Sequence, residues 1–189
     1  NTTMFHQEDR KYSLLWKDGY SDASWKRLAK VGLRLARSLD RPCIIDYGFG
    51  RGSAMDFFQN QGLYVEGVEI SQYAIQQQRH RKVYHASLDN LTMLGDNQFD
   101  IGFCNDVIEH IPEEYVAASL DEMTRVCSDY LLMSVCPTPS HNVSLEGENL
   151  HLTVKAESWW EELFQTYGEV TKIRFWFSRS ARYILDLPG

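Results

Sequence analysis

The chain has 189 residues, of which 43% are hydrophobic, and this is enough for one compact core. Its formal net charge is −7 without a dense lysine and arginine block, which argues against nucleic acid as a partner. No run approaches the roughly 20 apolar residues of a membrane span, and no signal-peptide pattern opens the chain, so we expect a cytoplasmic protein without membrane contact.

The N-terminal part of the chain is expected to be a helical segment. Residues 1–20 are polar with interspersed aromatic side chains and show no clean period. From Asp22 to Leu39 the apolar residues recur at spacings of three and four, which predicts an amphipathic helix capped by Ser21 or Asp22. We expect residues 1–40 to act as a helical lid, because closure over a site excludes water, and the alternative of a packed or disordered tail stays open.

From residue 41 onward, short apolar runs alternate with helical patterns. The expected strands cover residues 43–46, 63–70, 83–86, 99–105, 130–136, 170–177 and 181–187. The expected helices cover residues 53–61, 71–79, 112–126 and 156–167. Alternating strands and helices predict a parallel sheet with helices on both faces.

The last two strands break this alternation. Only Ser178 to Ser180 separate them, which is too short for a parallel crossover, so they should form an antiparallel hairpin. The predicted fold class is therefore α/β, a Rossmann-like doubly wound, mostly parallel sheet of seven strands that ends in an antiparallel β-hairpin. We expect residues 1–189 to be one domain, with residues 41–189 as its core.

The four cysteines form no pair with the CxxC spacing of a metal or redox site. Three of them lie in apolar runs that predict buried strands. We interpret all four as small buried hydrophobic residues in a reducing compartment, and they are Cys43, Cys104, Cys127 and Cys136.

The first predicted strand runs into a glycine-rich turn, in the segment IIDYGFGRGSAMDFF (44–58). Gly48, Gly50 and Gly52 permit a sharp bend and the close approach of a ligand to the backbone at a helix N-terminus. Glu69 ends the second strand, where an acid can accept hydrogen bonds from ribose hydroxyls. Dinucleotide and S-adenosylmethionine sites share this arrangement.

The glycine turn resembles the D/E-x-G-x-G-x-G loop of class I S-adenosylmethionine (SAM) dependent methyltransferases. The resemblance implies that SAM is the cofactor and that the glycine backbone lies against its methionine part. It further implies that Asp46 helps to hold the amino-acid end, and that Glu69 and the adjacent Ile70 contact the cofactor. A dinucleotide fingerprint would instead place glycine or alanine at Ser53.

Two later segments resemble the same family. ASLDNL (86–91) is similar to the stretch that flanks the adenine, which implies contacts from Ser87 and Leu88, although serine stands where the family often has aspartate. FDIGFCNDVIEHIP (99–112) is similar to the fourth strand and its following loop, which implies that Asn105 and Asp106 face the sulfonium. The matches span residues 43–136.

Methyl transfer to a hydroxyl requires alignment with the methyl group and removal of a proton. His110 follows the fourth strand, and histidine titrates near neutral pH, but a structural role for this loop residue is equally compatible with the sequence. His151 opens HLTVKAESWW, which resembles a segment of type 11 methyltransferases, many of them linked to sugar modification. We therefore predict His110 and His151 as catalytic candidates, and Trp159 and Trp160 as core residues.

Other acids and histidines near the strand ends could supply magnesium ligands, but their spacing is not specific, and we predict no metal. These residues are Asp106, Glu109, His110 and His141. The predicted function is methyl transfer from SAM to a hydroxyl of a small molecule or a glycan. Two alternatives stay open at this point, a non-catalytic SAM-binding partner protein and an NAD(P)-dependent oxidoreductase, and the sequence leaves the oligomeric state undetermined.

Overall fold

A computed structural model describes residues 2–20, 24–78, 81–174 and 178–188. The helices are α1 (Thr2–Lys17), α2 (Lys26–Ala36), α3 (Ser53–Asn60), α4 (Gln72–Gln76), α5 (Glu113–Val126) and α6 (Glu157–Gln165), with a 3₁₀ turn at Ile108–His110. The strands are β1 (Cys43–Tyr47), β2 (Tyr64–Glu69), β3 (Val83–His85), β4 (Phe99–Asn105), β5 (Cys127–Val135), β6 (Glu169–Ile173) and β7 (Ala181–Asp186).

The strands form one seven-stranded sheet in the order β3-β2-β1-β4-β5-β7-β6. The first five pair in parallel, whereas β7 runs antiparallel to both β5 and β6. The predicted Rossmann-like sheet and its closing hairpin are confirmed. The strand order reverses between β1 and β4, and in such sheets the ligand crevice lies beyond the carboxyl ends of the strands at this point.

Both faces of the sheet are covered, because successive residues of a strand point to opposite sides. Ile44 of β1 belongs to a core cluster shared with α2 and α3, while the next residue, Ile45, belongs to a cluster shared with α5 and α6. Trp160 is fully buried in the second cluster and Trp159 packs against it, which confirms the prediction that both are core residues.

Two of the differences from the sequence prediction have a clear physical cause. Residues 1–20 contain a regular helix, α1, although no clean period was found there, because polar residues such as Asp9 and Ser13 also face the protein and bond to α4. β5 begins at Cys127, directly after α5, rather than at Tyr130, since the polar start of the strand still pairs with β4.

Some predicted boundaries lie outside the described residues, namely the cap at Ser21 or Asp22 and the ends at Arg79 and Phe177. α2 begins at Lys26 with no side-chain cap, four residues later than expected. Within the described ranges, none of the helices combines the length and the apolar character needed to cross a bilayer.

Candidate functional site

The turn after β1 explains why three glycines are needed in five residues. Gly48, Gly50 and Gly52 have φ angles of 74°, 53° and 79°, in the left-handed region that L side chains rarely adopt. A Cβ on Gly48 would lie 2.6 Å from Val107 Cγ2, and a Cβ on Gly50 would lie 2.6 Å from the Trp16 indole. The turn is therefore closed in by neighbours on both sides and leaves its backbone as the surface for a ligand.

Glu69 connects the end of β2 to this turn. Its Oε2 accepts a hydrogen bond of 2.9 Å from the Gly50 N–H, and its Oε1 accepts from the N–H groups of Ile70 and Ser71 at 2.9 and 3.0 Å. Burial raises the pKa of Glu69, although these backbone donors act in the opposite direction. Oε2 has accepted one hydrogen bond and keeps acceptor capacity for a ligand hydroxyl.

The other predicted cofactor residues line the same cavity, whose volume is about 740 Å³. Asp46 reaches it from the end of β1, and Asn105 and Asp106 reach it from the end of β4. Ile70, Ser87 and Leu88 form its wall beside Glu69, and Ser87 Oγ donates a hydrogen bond to the Asp89 carboxylate. The structure brings all ten predicted residues to the carboxyl edge of the sheet. Gly52, the last glycine of the turn, lies there directly before α3.

Asp106 has an unusual backbone, with a φ of 52° in a non-glycine residue. Its Oδ1 accepts a hydrogen bond of 2.5 Å from Ser134 Oγ of β5, and its Oδ2 accepts one from Ser24 Oγ. Ser24 Oγ in turn accepts a hydrogen bond of 2.8 Å from Asn105 Nδ2. These contacts fix the end of β4 against β5 and the segment before α2, and the sequence offers no local motif that points to Ser24 or Ser134.

The two predicted catalytic histidines lie side by side in the cavity, with ring centroids 4.8 Å apart. His110 Nδ1 lies 2.9 Å from the Tyr12 hydroxyl of α1, and its other partner is the Leu150 carbonyl. Burial, followed by the charges of His151 and Lys11, lowers the pKa of His110 to about 3. His110 is therefore a neutral imidazole at physiological pH.

His151 has a different electrostatic environment. Burial lowers its pKa, but hydrogen bonds to the Cys136 thiol and to the Thr138 carbonyl outweigh burial and raise it, the Nδ1 to Thr138 distance being 2.6 Å. The same contact with His151 is the main cause that lowers the pKa of Cys136. His151 and the Cys136 thiol are thus a hydrogen-bonded pair in which each group shifts the pKa of the other.

This environment corrects one prediction about the cysteines. Cys104 and Cys127 are buried, but Cys43 and Cys136 are only half-buried, and all four are free thiols. Cys136 lines the cavity because it follows the last residue of β5, at the carboxyl edge of the sheet. It is a polar site residue, not a small buried hydrophobic one.

Glu109 ties together the loops on which both histidines lie. Its Oε1 accepts a hydrogen bond of 2.8 Å from Cys136 N–H, and its carbonyl oxygen accepts from the N–H groups of Leu152 and Thr153 at 2.9 and 3.0 Å. The residue is fully buried, and burial followed by the nearby Asp106 raises its pKa well above the ordinary range. Glu109 is therefore a loop-positioning group.

Within the described residues, the ligand atoms of Glu109, His110 and His151 lie within 4.8 Å of one another. The ligand atoms of a tetrahedral zinc site, with bonds of about 2.0–2.1 Å, lie roughly 3.3 Å apart. His110 Nδ1 also already meets the Tyr12 hydroxyl. An ion bound at His110 Nδ1 would have to displace the Tyr12 hydroxyl.

α1 forms part of the cavity wall through Met4, Glu8, Tyr12 and Trp16. Two hydrogen bonds hold the helix over α4. Asp9 Oδ1 accepts one of 2.7 Å from the Gln72 N–H, and Ser13 Oγ accepts one of 3.1 Å from the Tyr73 N–H. Trp16 covers Gly50 from the same side. The aromatic side chains of the N-terminal segment therefore enclose the end of the site formed by the glycine turn.

A family model described as a methyltransferase domain, of the type 11 family, matches residues 45–129. No curated protein matches the sequence. Among solved structures, a protein of Pyrococcus horikoshii OT3 has a TM-score of 0.70 at 18% identity, covering 89% of this chain and 92% of that one.

Two further solved structures contain the cofactor or its product. The 1,6-didemethyltoxoflavin-N1-methyltransferase of Burkholderia thailandensis, with S-adenosylhomocysteine (SAH) bound, has a TM-score of 0.64 at 16% identity, covering 98% of this chain and 85% of that one. The magnesium protoporphyrin IX methyltransferase of Synechocystis PCC 6803, with SAM bound, has a TM-score of 0.63 at 17% identity, covering 100% and 93%. These likenesses show the fold. The family match identifies residues 45–129 as a methyltransferase domain.

Proposed function

We propose that this methyltransferase transfers the methyl group of SAM to a hydroxyl group of a small molecule or a glycan. The observation that carries this proposal is the continuity of one cavity. It runs from the glycine turn and Glu69 to the imidazoles of His110 and His151. Its volume of about 740 Å³ lies in the upper part of the range of roughly 300–1,000 Å³ that ligand sites occupy, which supports a cofactor beside a small acceptor.

At the cofactor end, we propose that Asp46 and the backbone of Gly48, Gly50 and Gly52 bind the amino-acid part of SAM. Glu69 Oε2 would accept a hydrogen bond from a ribose hydroxyl. Ile70, Ser87 and Leu88 would flank the adenine, and Asn105 and Asp106 would face the sulfonium. In support, all of these residues except Gly52 line the cavity, and Gly52 begins α3 directly after it.

At the acceptor end, we propose that His110 receives the hydroxyl proton at Nδ1, where the acceptor hydroxyl replaces the hydroxyl of Tyr12. SAM supplies an activated methyl group, and the acceptor oxygen becomes strongly acidic as its bond to the methyl carbon forms. A weakly basic imidazole is then sufficient, provided that it is neutral, as the pKa of about 3 makes His110 at physiological pH. The products are the methyl ether, SAH and a proton.

His151 is proposed to assist rather than to replace His110. Its Nδ1 is held by the Thr138 carbonyl, and its proton is shared with Cys136. The edge of its ring meets the His110 ring at an interplanar angle of 82°. His151 would therefore orient His110 and the acceptor, which is a positioning role.

We also propose that residues 1–40 form a lid over a core of residues 41–189. The cavity-lining side chains of α1 and its hydrogen bonds to α4 support this. A cytoplasmic location is supported by the four free thiols. The net charge of −7 supports an acceptor other than nucleic acid.

The test is SAH release with matched acceptors that offer a hydroxyl, an amine or a thiol on the same small scaffold, followed by a panel of sugars. We expect turnover with hydroxyl acceptors. His110→Gln should lower kcat by about 10²–10⁴-fold, the usual contribution of a general base, with the KM for SAM unchanged. His6→Gln, an exposed histidine of α1, is the matched control.

A preference for the amine or the thiol, or a fully active His110→Gln variant, would contradict the proposal. The alternative of a non-catalytic SAM-binding protein predicts SAM binding without SAH release for every acceptor. The NAD(P)-dependent alternative is set aside by the family match to a methyltransferase domain.

A further inference from the structure

The acceptor end of the cavity is lined by cationic side chains, although the protein as a whole has a net charge of −7. Lys26 and Arg27 come from the start of α2, and Arg179 and Arg182 come from the segment that leads into β7. Arg27 and Arg179 are 152 residues apart in the sequence, so only the fold brings these charges to one cavity.

Arg182 is the deepest of the four, with 3% of its surface exposed. It lies in β7 opposite Ser134 of β5, the residue that donates to Asp106. Its Nη1 donates to Ser178 Oγ and to the Ser180 carbonyl, the latter at 3.1 Å. The side chain is therefore held in one position at the carboxyl edge of the sheet, where ligands bind.

The electrostatics around Arg182 favour an incoming anion. Burial lowers its pKa, Asp106 raises it, and Arg27 lowers it again by charge repulsion. Taking a guanidinium out of water beside a second arginine costs free energy, and a bound carboxylate or phosphate would offset part of this cost. Arg27 and Arg179 are exposed at the cavity mouth, so the positive charge extends from solvent to the buried guanidinium.

Five acids line the cavity: Glu8, Asp46, Glu69, Asp106 and Glu109. At the acceptor end, Asp106 and Glu109 face four cationic side chains, and burial raises the pKa of Glu109 well above its ordinary range, which favours its uncharged form. Glu69 accepts hydrogen bonds from the backbone at the cofactor end, and Glu8 forms an ion pair of 2.5 Å with Lys11. Asp106 accepts hydrogen bonds from serine hydroxyls on both of its oxygens. The acceptor end therefore presents an excess of positive charge to whatever enters.

We propose that the methyl acceptor carries an anionic group, a carboxylate or a phosphate, which Arg27 and Arg182 bind while its nucleophilic atom faces His110. This inference deepens the proposed function and rests on it. A guanidinium matches both anions with two parallel N–H donors. Arginines at a cavity mouth also attract anions over several ångströms, which raises the rate of entry at low salt.

The test uses protein saturated with SAH and three probes of similar size: phenyl phosphate, benzoate and the neutral benzamide. Calorimetric titration should give a Kd for at least one anion about tenfold lower than that for benzamide. Arg27→Gln, at an exposed position, should weaken anion binding about threefold, and Arg182→Lys about tenfold because the planar fork is lost. Arg34→Gln, an exposed arginine of α2 outside the cavity, should leave binding unchanged.

Preference for phenyl phosphate or for benzoate would assign the anion as phosphate or carboxylate, and either preference supports the proposal. Equal binding of benzamide, absence of anion binding, or equal loss in Arg27→Gln and Arg34→Gln would overturn it. Arg27→Gln keeps the test decisive even if the buried Arg182→Lys variant does not fold. If anions bind but no acceptor leads to formation of SAH from SAM, the result would instead contradict the proposed function alone.

Discussion

Glu69 links three parts of the site through one carboxylate: the end of β2, the start of α4 and the glycine turn. It does so with backbone N–H groups as donors, so it is held in place without any other side chain. Glu66 lies on the same strand and is similarly buried, but it bonds to Tyr64, Tyr84 and Lys82 outside the cavity. Substitutions of Glu69 and Glu66 can therefore be compared to distinguish a loss of cofactor binding from the general effect of changing a buried acid.

We predict that Glu69→Gln raises the Kd for SAH by at least about tenfold, the equivalent of one lost hydrogen bond to a charged group. Glutamine replaces one of the two acceptor oxygens with a donor, so it cannot accept from Gly50 and the ligand while it also accepts from Ile70 and Ser71. Glu66→Gln should leave the Kd within a factor of about two. Calorimetry on both variants measures this, and equal affinity for SAH in Glu69→Gln and wild type would contradict the role of Glu69.

His110 should make the stability of the fold depend on pH. Its pKa is about 3 in the folded protein against an ordinary value of 6.5. Between these values the unfolded chain binds a proton that the native state does not bind, so stability rises with pH across this window and is lost as pH falls. The slope contributed by one group approaches about 1.4 kcal/mol per pH unit.

We predict that the free energy of unfolding of His110→Gln falls less steeply than that of wild type between pH 6.5 and pH 5. Urea unfolding at several pH values gives both curves, and their difference removes the contributions of the acids that are common to both proteins. The raised pKa of Glu109 acts in the opposite direction, which makes this difference the informative quantity. Parallel curves would contradict a buried neutral His110.

At the scale of elements, the middle of α1 is attached by polar contacts, while Leu15 and Trp16 near its end are buried. Asp9 accepts a hydrogen bond of 2.7 Å from the Gln72 N–H and one of 2.9 Å from Ser13 Oγ. Ser13 in turn shares a hydrogen bond of 3.0 Å with Ser71, the residue that caps α4. A helix attached in this way can open at modest cost, as a lid requires.

We predict that Asp9→Ala weakens this attachment, because the Gln72 N–H loses its acceptor, at a cost of about 1–3 kcal/mol. Amide hydrogen exchange should become faster in α1 and α4, and SAH should dissociate faster. Arg10→Ala, at the exposed neighbouring position, serves as the control. If SAH leaves exchange in α1 unchanged in the wild type, the helix is not a lid.

The sequence predicted elements well where the signal is local. β4 is a mostly apolar run and was predicted with its observed bounds. The bounds of α1 were not predicted because Asp9 and Ser13, which are polar, occupy its protein-facing side and interrupt the apolar pattern. The start of β5 was placed too late because Ser128 and Asp129 are polar.

At the scale of the whole molecule, the two ends of the cavity differ in how far the sequence could predict them. The residues proposed for the cofactor end lie next to strand ends, so local motifs are sufficient to predict that they share one edge of the sheet. The acceptor end is assembled from single residues of distant segments, including Tyr12, Ser24, Cys136 and Arg182. No spacing rule connects these residues, and only the folded sheet shows that they share a site.

Calorimetric titration of the wild-type protein with SAM, SAH and NADH is the most direct test of the account. The glycine turn, Asp46 and Glu69 are predicted to select the first two. We expect SAM and SAH to bind at one site per chain and to compete with each other, while NADH does not bind. Binding of NADH in preference to SAM, or binding of neither SAM nor SAH, would contradict the central claim that this cavity is a SAM-dependent methyltransferase site.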